Sequence, residues 1–270
     1  MILRAMFSRQ WLLATLLALA GGALCIRLGI WQLDRLEQRR AFNEHVEAMW
    51  AAEPLNLAGD PAGDLTTMEY RAVTLSGKYD FENQVVLRNR YFQGEYGYNL
   101  LTPLLLDDGS AVLVDRGWIP ADGNDTPAAW RRYDQSGRVE VQGQIRLGQT
   151  RPDMGGVPDP ALESGQSKLE FWNNVNLERI GQPLPYPLMD VYVQPEVEPA
   201  DTTPPIPYQP ELELSEGPHL GYAVQWFTFA SILVLGYPFY VRKELLKPSK
   251  KSGPVALPQA MPSQGYLEEK

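Results

Sequence analysis

Two histidines and one cysteine limit the chemistry open to this 270-residue chain. The more informative histidine is His219. It heads the stretch HLGYAVQWFTFASILVLGYPFY, in which Leu220 to Val241 form 22 residues without a formal charge. His219, Tyr222, Ala223 and Trp226 stand at i, i+3, i+4 and i+7, so a helix puts them on one face. A neutral imidazole there suits axial ligation of haem iron. Ala223 is small enough to leave room, and Tyr222 and Trp226 have rings that pack on a macrocycle. The same residues also suit an interfacial anchor, because Tyr and Trp collect at membrane–water boundaries. Residue types alone leave both readings open. Gln225, polar within the apolar run, suits a hydrogen bond to a second membrane helix.

Much other chemistry is excluded. His45 is the second histidine and Cys25 the sole cysteine, within an apolar run. An internal disulfide, a C-x-x-C-H haem attachment and a Cys-rich zinc site cannot be built. Ser/His/Asp and Cys/His nucleophilic sites lack a base in the middle of the chain. Neither G-x-x-x-x-G-K-[ST] nor G-x-G-x-x-G occurs. From Arg35 to Glu216 there are 15 Lys and Arg against 29 Asp and Glu. That acidic middle does not suit nucleic acid, which needs a basic face. It also makes any single carboxylate pair uninformative. Arg116-Gly117-Trp118-Ile119-Pro120 reads as a strand end, with Gly permitting an unusual backbone turn and Pro fixing the exit. Arg116 is expected to pair with Asp80, Asp115 or another local carboxylate.

The elements around these residues read as membrane spans and strands. A spanning helix needs about 20 apolar residues. Residues 218–241 meet that length, and residues 10–31 meet it if Arg9 and Arg27 reach the two interfaces. The run contains an A-x-A sequence, Ala18-Leu19-Ala20, but apolarity continues to Ile26, so it reads as a retained anchor rather than a cleaved signal. Small residues at Ala14, Ala18, Gly22, Cys25 and Gly29 make a stripe suited to close packing on a second span. Arg242, Lys243, Lys247, Lys250 and Lys251 follow the second span and predict a cytoplasmic end. With two spans, residues 1–9 are cytoplasmic as well. No Arg/Ser-rich presequence precedes the first span, which favours a bacterial inner (cell) membrane. Residues 242–270 form a basic tail, expected to be disordered after Pro248.

Residues 32–217 are expected outside the cytoplasm, in the periplasm. Trp31 to Trp50 lacks Gly and Pro, continues the first span as a solvated helix supported by Glu37, Arg40 and Glu44, and stops before Pro54. Ala58 to Asp64 reads as a loop. Seven strands follow from alternation and turn signals: 71–79, 84–92, 97–106, 110–119, 137–147, 169–175 and 189–193. Leu106 to Ala111 is the clearest hairpin, Pro103 suggests an edge or bulge, and 126–133 a short helix. The fold class is therefore a membrane protein with two transmembrane helices flanking a mainly antiparallel β outer domain, sandwich or barrel-like, with short helices. Glu196 to Gly217, rich in Pro and Glu, reads as an extended connection.

Three motifs occur in order: Leu28-Gly29-Ile30-Trp31-Gln32-Leu33-Asp34-Arg35, then Arg116 to Pro120, then His219 to Phe227, with Ser76-Gly77-Lys78-Tyr79-Asp80 as a smaller fourth. In that order the chain resembles the surfeit locus protein 1 family of cytochrome c oxidase assembly factors, over about residues 10 to 245. The resemblance implies a non-enzymatic role in maturing haem–copper oxidases, with two spans around an outer domain. It implies haem a binding, with His219 as the iron ligand and Tyr222 and Trp226 as accompanying aromatic positions. It implies cytochrome c oxidase subunit 1, the haem A synthesis machinery and membrane lipid as partners. Gly217-Pro218 stand where the family often has Asn before this histidine. The alternative is a cofactor-free membrane-anchored scaffold that holds an oxidase subunit.

Overall fold

The computed structural model describes residues 2–57, 63–163, 165–198 and 202–247. The chain divides into two compact units, residues 1–37 with 217–270, and residues 38–216. The basic residues Lys250 and Lys251, the tail after Pro248 and most of the expected loop at 58–64 lie outside the described residues.

The first unit is helical. A short α1 (Ile2–Met6) precedes α2 (Leu12–Ala51), which runs unbroken through the expected span and its solvated continuation. It ends three residues before Pro54, where that residue's missing N–H and restricted neighbour forbid further helix. The second apolar stretch forms α5 (His219–Ser231) and α6 (Tyr237–Leu245), joined by a π segment, Ile232–Gly236. Pro238 has no N–H to give back to the preceding turn, and the local widening accommodates that loss. Two helices, Leu12–Ala51 and His219–Leu245, are long and apolar enough to cross a membrane.

The burial pattern of α2 has a heptad spacing. Thr15, Gly22, Gly29 and Leu36 are buried seven residues apart, with Ala18, Cys25 and Gln32 between them. Steps of three and four describe a 3.5-residue period, which keeps one seam facing a partner helix. The expected small-residue stripe is this seam, except that Ala14 is exposed and Thr15 takes its place. Cβ atoms built at Gly22 and Gly29 would lie 2.8 Å from Val234 Cγ2 and 2.7 Å from the Phe227 ring, so any side chain there would displace Val234 or Phe227. Outside the seam, Leu13, Leu17, Leu24, Val224, Leu235 and Phe239 are exposed. Polar and small residues inside with apolar residues outside invert the soluble pattern and suit a lipid surround.

The second unit is built on eight strands: β1 (Leu55–Asn56), β2 (Ala72–Tyr79), β3 (Val85–Phe92), β4 (Glu95–Leu105), β5 (Ala111–Pro120), β6 (Arg138–Leu147), β7 (Phe171–Trp172) and β8 (Leu188–Pro195). Two short helices, α3 (Pro127–Trp130) and α4 (Leu177–Gly181), complete it. Six of the seven expected strands form over most of their length, the one expected at 169–175 shrinks to the two residues of β7, and the expected helix at 126–133 is α3 followed by a 3-10 turn. The strand order closes β2–β6–β8–β5–β4 into a five-stranded mixed barrel through a short β2–β4 pairing. Most pairings are antiparallel; β5–β8, β3–β7 and β1–β2 are parallel.

Leu75, Leu104, Val112, Val114, Ile145 and Val193 fill the barrel. Leu113, on the opposite face of β5, packs with Trp172 and Ile180 instead. Burial on both faces explains why β5 is almost wholly apolar from 111 to 114. Pro103 is neither on an edge strand nor at the bulge. It lies where β4 leaves β3, last paired at Leu101, and meets β2 at Leu104. Its missing N–H is not needed there, and its carbonyl accepts from Asp80 N–H (2.9 Å). The β4–β5 irregularity sits between Leu100 and Leu101, opposite Gly117, whose φ is +117°. The Gly117 backbone turn is as expected. It admits Ile206, which pairs with Trp118 through two backbone hydrogen bonds of 2.7 and 2.9 Å.

Candidate functional site

His219 is the first residue of α5 and follows Gly217 in a left-handed conformation, φ +68°. Its Nδ1 lies 2.8 Å from Gln32 Oε1 on α2. Gln32 occupies a seam position and is 8% exposed. An amide oxygen accepts only, so in a neutral ring this contact calls for the proton on Nδ1 and leaves the lone pair on Nε2. Among the described residues no side chain hydrogen-bonds Nε2. Beside it lies Gly217, where an added Cβ would lie 3.6 Å from Nε2. A side chain at 217 would cover that edge of the ring; glycine leaves it clear. The site therefore fits an imidazole-ligated group in the donor it presents: a half-buried ring with one nitrogen tied down.

The other expected residues divide. Ala223 is 1% exposed, so its small side chain serves close packing rather than room for a ligand. Trp226 is partly buried and packs edge-on to Phe229, ring centroids 6.0 Å apart. Tyr222 is 48% exposed, unlike its enclosed neighbour Ala223. Gln225 is exposed, and the hydrogen bonds across the helix seam come from Gln32 and from Thr15, not from it. Gln32 was visible within a motif, but its partner is 187 residues away and no local pattern encodes that contact.

The β unit holds a different polar centre. Asp115, 4% exposed, accepts from Asn99 Nδ2 at Oδ2 (2.9 Å) and from the Gly117 N–H at Oδ1 (3.2 Å). Burial pushes its carboxyl up to about 6, against the pull of Asn99, Arg90 and the Gly117 N–H. A cavity of about 520 Å³ adjoins it, lined by Asn99, Arg90, Arg146, Tyr192 and Gln194 among others.

Arg116 takes no carboxylate partner among the described ion pairs, contrary to expectation. Its Nη1 donates to Gln84 Oε1 (3.1 Å) and Nη2 to the Tyr133 carbonyl. Its guanidinium lies 5.0 and 5.1 Å from the Tyr79 and Phe81 ring centroids. Aromatic faces and neutral acceptors hold the buried cation, with the Asp134 charge acting on it without a direct ion pair. Asp80 instead accepts from Tyr186 Oη (2.6 Å) and Asn83 Nδ2 (2.7 Å). The intrahelical support expected for Arg40 is replaced as well: it makes a two-pronged pair with Glu216, at 2.7 and 2.9 Å.

These features define a class: a protein with two membrane-length apolar helices, a histidine held in their seam, and a mixed β-barrel unit. A model described as the SURF1 family matches residues 19–231. The chain belongs to that family, one of cytochrome oxidase assembly factors rather than of enzymes. Among its relatives is Surfeit locus protein 1 of Takifugu rubripes, 29% identical over 171 residues, which cover 57% of this chain and 68% of that one. An uncharacterized SURF1-like protein of Mycobacterium tuberculosis is 26% identical, over 87% of this chain and 84% of its own. A SURF1-like protein of Rickettsia felis is 26% identical, over 81% and 92%.

Proposed function

We propose that this chain binds haem a transiently through His219 Nε2 and assists its insertion into subunit 1 of cytochrome c oxidase. The observation that carries this reading is the Nδ1 contact to Gln32, which leaves Nε2 as the lone-pair nitrogen. Haem a is cargo, and the protein makes and breaks no covalent bond. His219 supplies an axial nitrogen, and the rings of Tyr222 and Trp226 supply apolar surface for the macrocycle. The haem A synthesis machinery delivers the cargo, and lipid surrounds the two helices. Arg242, Lys243 and Lys247 after the second span support cytoplasmic ends and a periplasmic β unit. Relatives in Mycobacterium and Rickettsia support a bacterial inner membrane.

Expression in a host that makes haem A, purification in mild detergent and a reduced pyridine haemochrome spectrum test the reading. The expected result is near-stoichiometric haem a in the wild type and its loss in His219→Ala. Copurification with the oxidase subunit and no haem in the wild type would replace it with the cofactor-free scaffold.

A further inference from the structure

We propose that Gln32 is a positioning residue: its side-chain oxygen holds the His219 proton on Nδ1 and thereby presents Nε2 as the ligating nitrogen. The first half concerns the free protein. The second half, the consequence for ligation, rests on the haem reading above.

Gln32 stands in a row otherwise made of small or apolar residues, with Cys25, Gly29 and Leu36 as its seam neighbours. A buried amide in an apolar setting is unfavourable unless paired, and in a helix seam its natural partner is the opposite helix. The partner here is an imidazole, not a backbone group, at 2.8 Å. A neutral imidazole in water prefers its proton on Nε2, which would block that nitrogen as a ligand. An acceptor at Nδ1 reverses the preference. Metal-bound histidines generally donate their second N–H to such an acceptor, which fixes ring orientation and raises ligand basicity.

The surroundings fit this role. One turn before Gln32, Gly29 has no Cβ, and the Phe227 ring occupies the space one would fill. That close approach brings the Gln32 amide within reach of the ring one turn before Ala223. On the far edge of the ring, Gly217 leaves Nε2 uncovered. The contact ties one nitrogen, and the glycine keeps the other clear.

The chain has only two histidines, so the ring can be observed directly. In a His45→Gln background, protein labelled with ¹⁵N-histidine reports His219 alone. Spectra of the haem-free, full-length protein in micelles at about pH 9 read the tautomer. The expected spectrum shows Nδ1 protonated and Nε2 bare. Gln32→Met, close in size but without the acceptor, moves the proton to Nε2; Gln32→Glu restores it to Nδ1. A proton on Nε2 in the parent, or an unchanged tautomer in Gln32→Met, overturns the proposal. The parent spectrum decides the matter even if Gln32→Met does not fold. Haem titration reads the consequence: Gln32→Met is expected to weaken binding about 10- to 100-fold, and Gln32→Glu to recover it. Unchanged affinity in a variant whose tautomer has moved overturns the second half. Equal haem in His219→Ala and wild type sinks the haem reading and leaves the tautomer result standing.

Discussion

Two buried amides each face a titratable group, one in each unit: Gln32 against His219 at 2.8 Å, and Asn99 against Asp115 at 2.9 Å. The pairs are alike in chemistry and opposite in what they leave over. At Asp115 both carboxylate oxygens are engaged, and the group is almost fully buried. At His219 one nitrogen is engaged, and the residue is partly buried, with no side chain bonded to the other nitrogen among the described residues. The carboxylate has a hydrogen bond at each oxygen, whereas the histidine keeps one nitrogen without a side-chain partner among the described residues. A perturbed titration marks burial, whereas readiness to bind needs an unengaged lone pair at an accessible edge.

The largest effect expected from this contrast is the pH response of the β unit. The Asp115 carboxyl sits at about 6 when folded, against an ordinary 3.8. A raised folded value means that the native state holds the proton more firmly than the unfolded chain. Stability then declines as pH rises between those values, and the penalty is fully present above about 6. The difference corresponds to about 3 kcal/mol. Asp115→Asn is therefore expected to exceed the wild type in stability at pH 7.5 and to lose that advantage at pH 4. Denaturant unfolding of the full chain in mild detergent, followed by near-ultraviolet circular dichroism, measures this. An unchanged pH slope in Asp115→Asn would show that the carboxylate is not desolvated.

A somewhat smaller effect follows from removing the amide rather than the charge. Asn99→Ala takes one donor from a buried carboxylate and is expected to cost about 2 kcal/mol at pH 7.5. The loss shrinks at pH 4, where the carboxyl is protonated. A loss equal at both pH values would assign Asn99 to packing alone and break the parallel with Gln32.

The two pairs were also unequally legible. His219 stood out by scarcity, as one of two histidines, at the start of a run whose helical phase is plain. Helical spacing grouped Tyr222 with Ala223 and Trp226, but it does not tell how deeply each is buried: Ala223 is enclosed, Trp226 partly buried and Tyr222 exposed. Asp115 was one of many acids, and its burial depends on β4 and β8, which flank β5 in the sheet. The six longer strands showed themselves through alternation, whereas the run expected at 169–175 yields only the two-residue β7. The two-residue β1 and the five-residue α4 are too short to carry a period. The parallel β5–β8 pairing that makes a barrel rather than a sandwich joins Leu113 to Tyr192, beyond any local signal. Arg116 was expected to pair with a local carboxylate such as Asp80 or Asp115, yet the side chains that meet it are the Tyr79 and Phe81 rings and the Gln84 amide.

The seam of the helix unit offers a further test of the comparison. Gly29→Leu puts a side chain where the Phe227 ring lies, with the first carbon already only 2.7 Å away. Overpacking of this kind costs about 1–3 kcal/mol and pushes the helices apart. Pairing it with Phe227→Ala is expected to return most of the loss, a coupling read from a double-mutant cycle. Thermal unfolding in micelles gives the stability, and the His219 ¹⁵N spectrum shows whether the Gln32 contact opens. Loss of stability with an unaltered tautomer would mean that the amide follows the ring, and that Gly29 does not set their separation.

The smallest effect comes from the other end of the same seam. Thr15 donates its hydroxyl proton to the Met6 carbonyl (2.7 Å), so toward Tyr237 Oη, 2.9 Å away, it acts as acceptor. Tyr237 also lies 3.4 Å from the Trp11 carbonyl, which gives its O–H a second acceptor. Thr15→Val keeps the shape and removes both bonds of Thr15. Interhelical hydrogen bonds in membranes average about 0.6 kcal/mol, and Tyr237 retains an alternative, so the expected loss is about that size or less. The Thr15–Tyr237 pair thus serves as the control for Gln32–His219. Both join the two helices, but only the second holds a proton on a nitrogen that has a competing site. Thr15→Val should lower stability slightly and leave the His219 tautomer where it was. A tautomer shift in Thr15→Val would mean that any loosening of the seam frees the ring, and that Gln32 has no special hold on it.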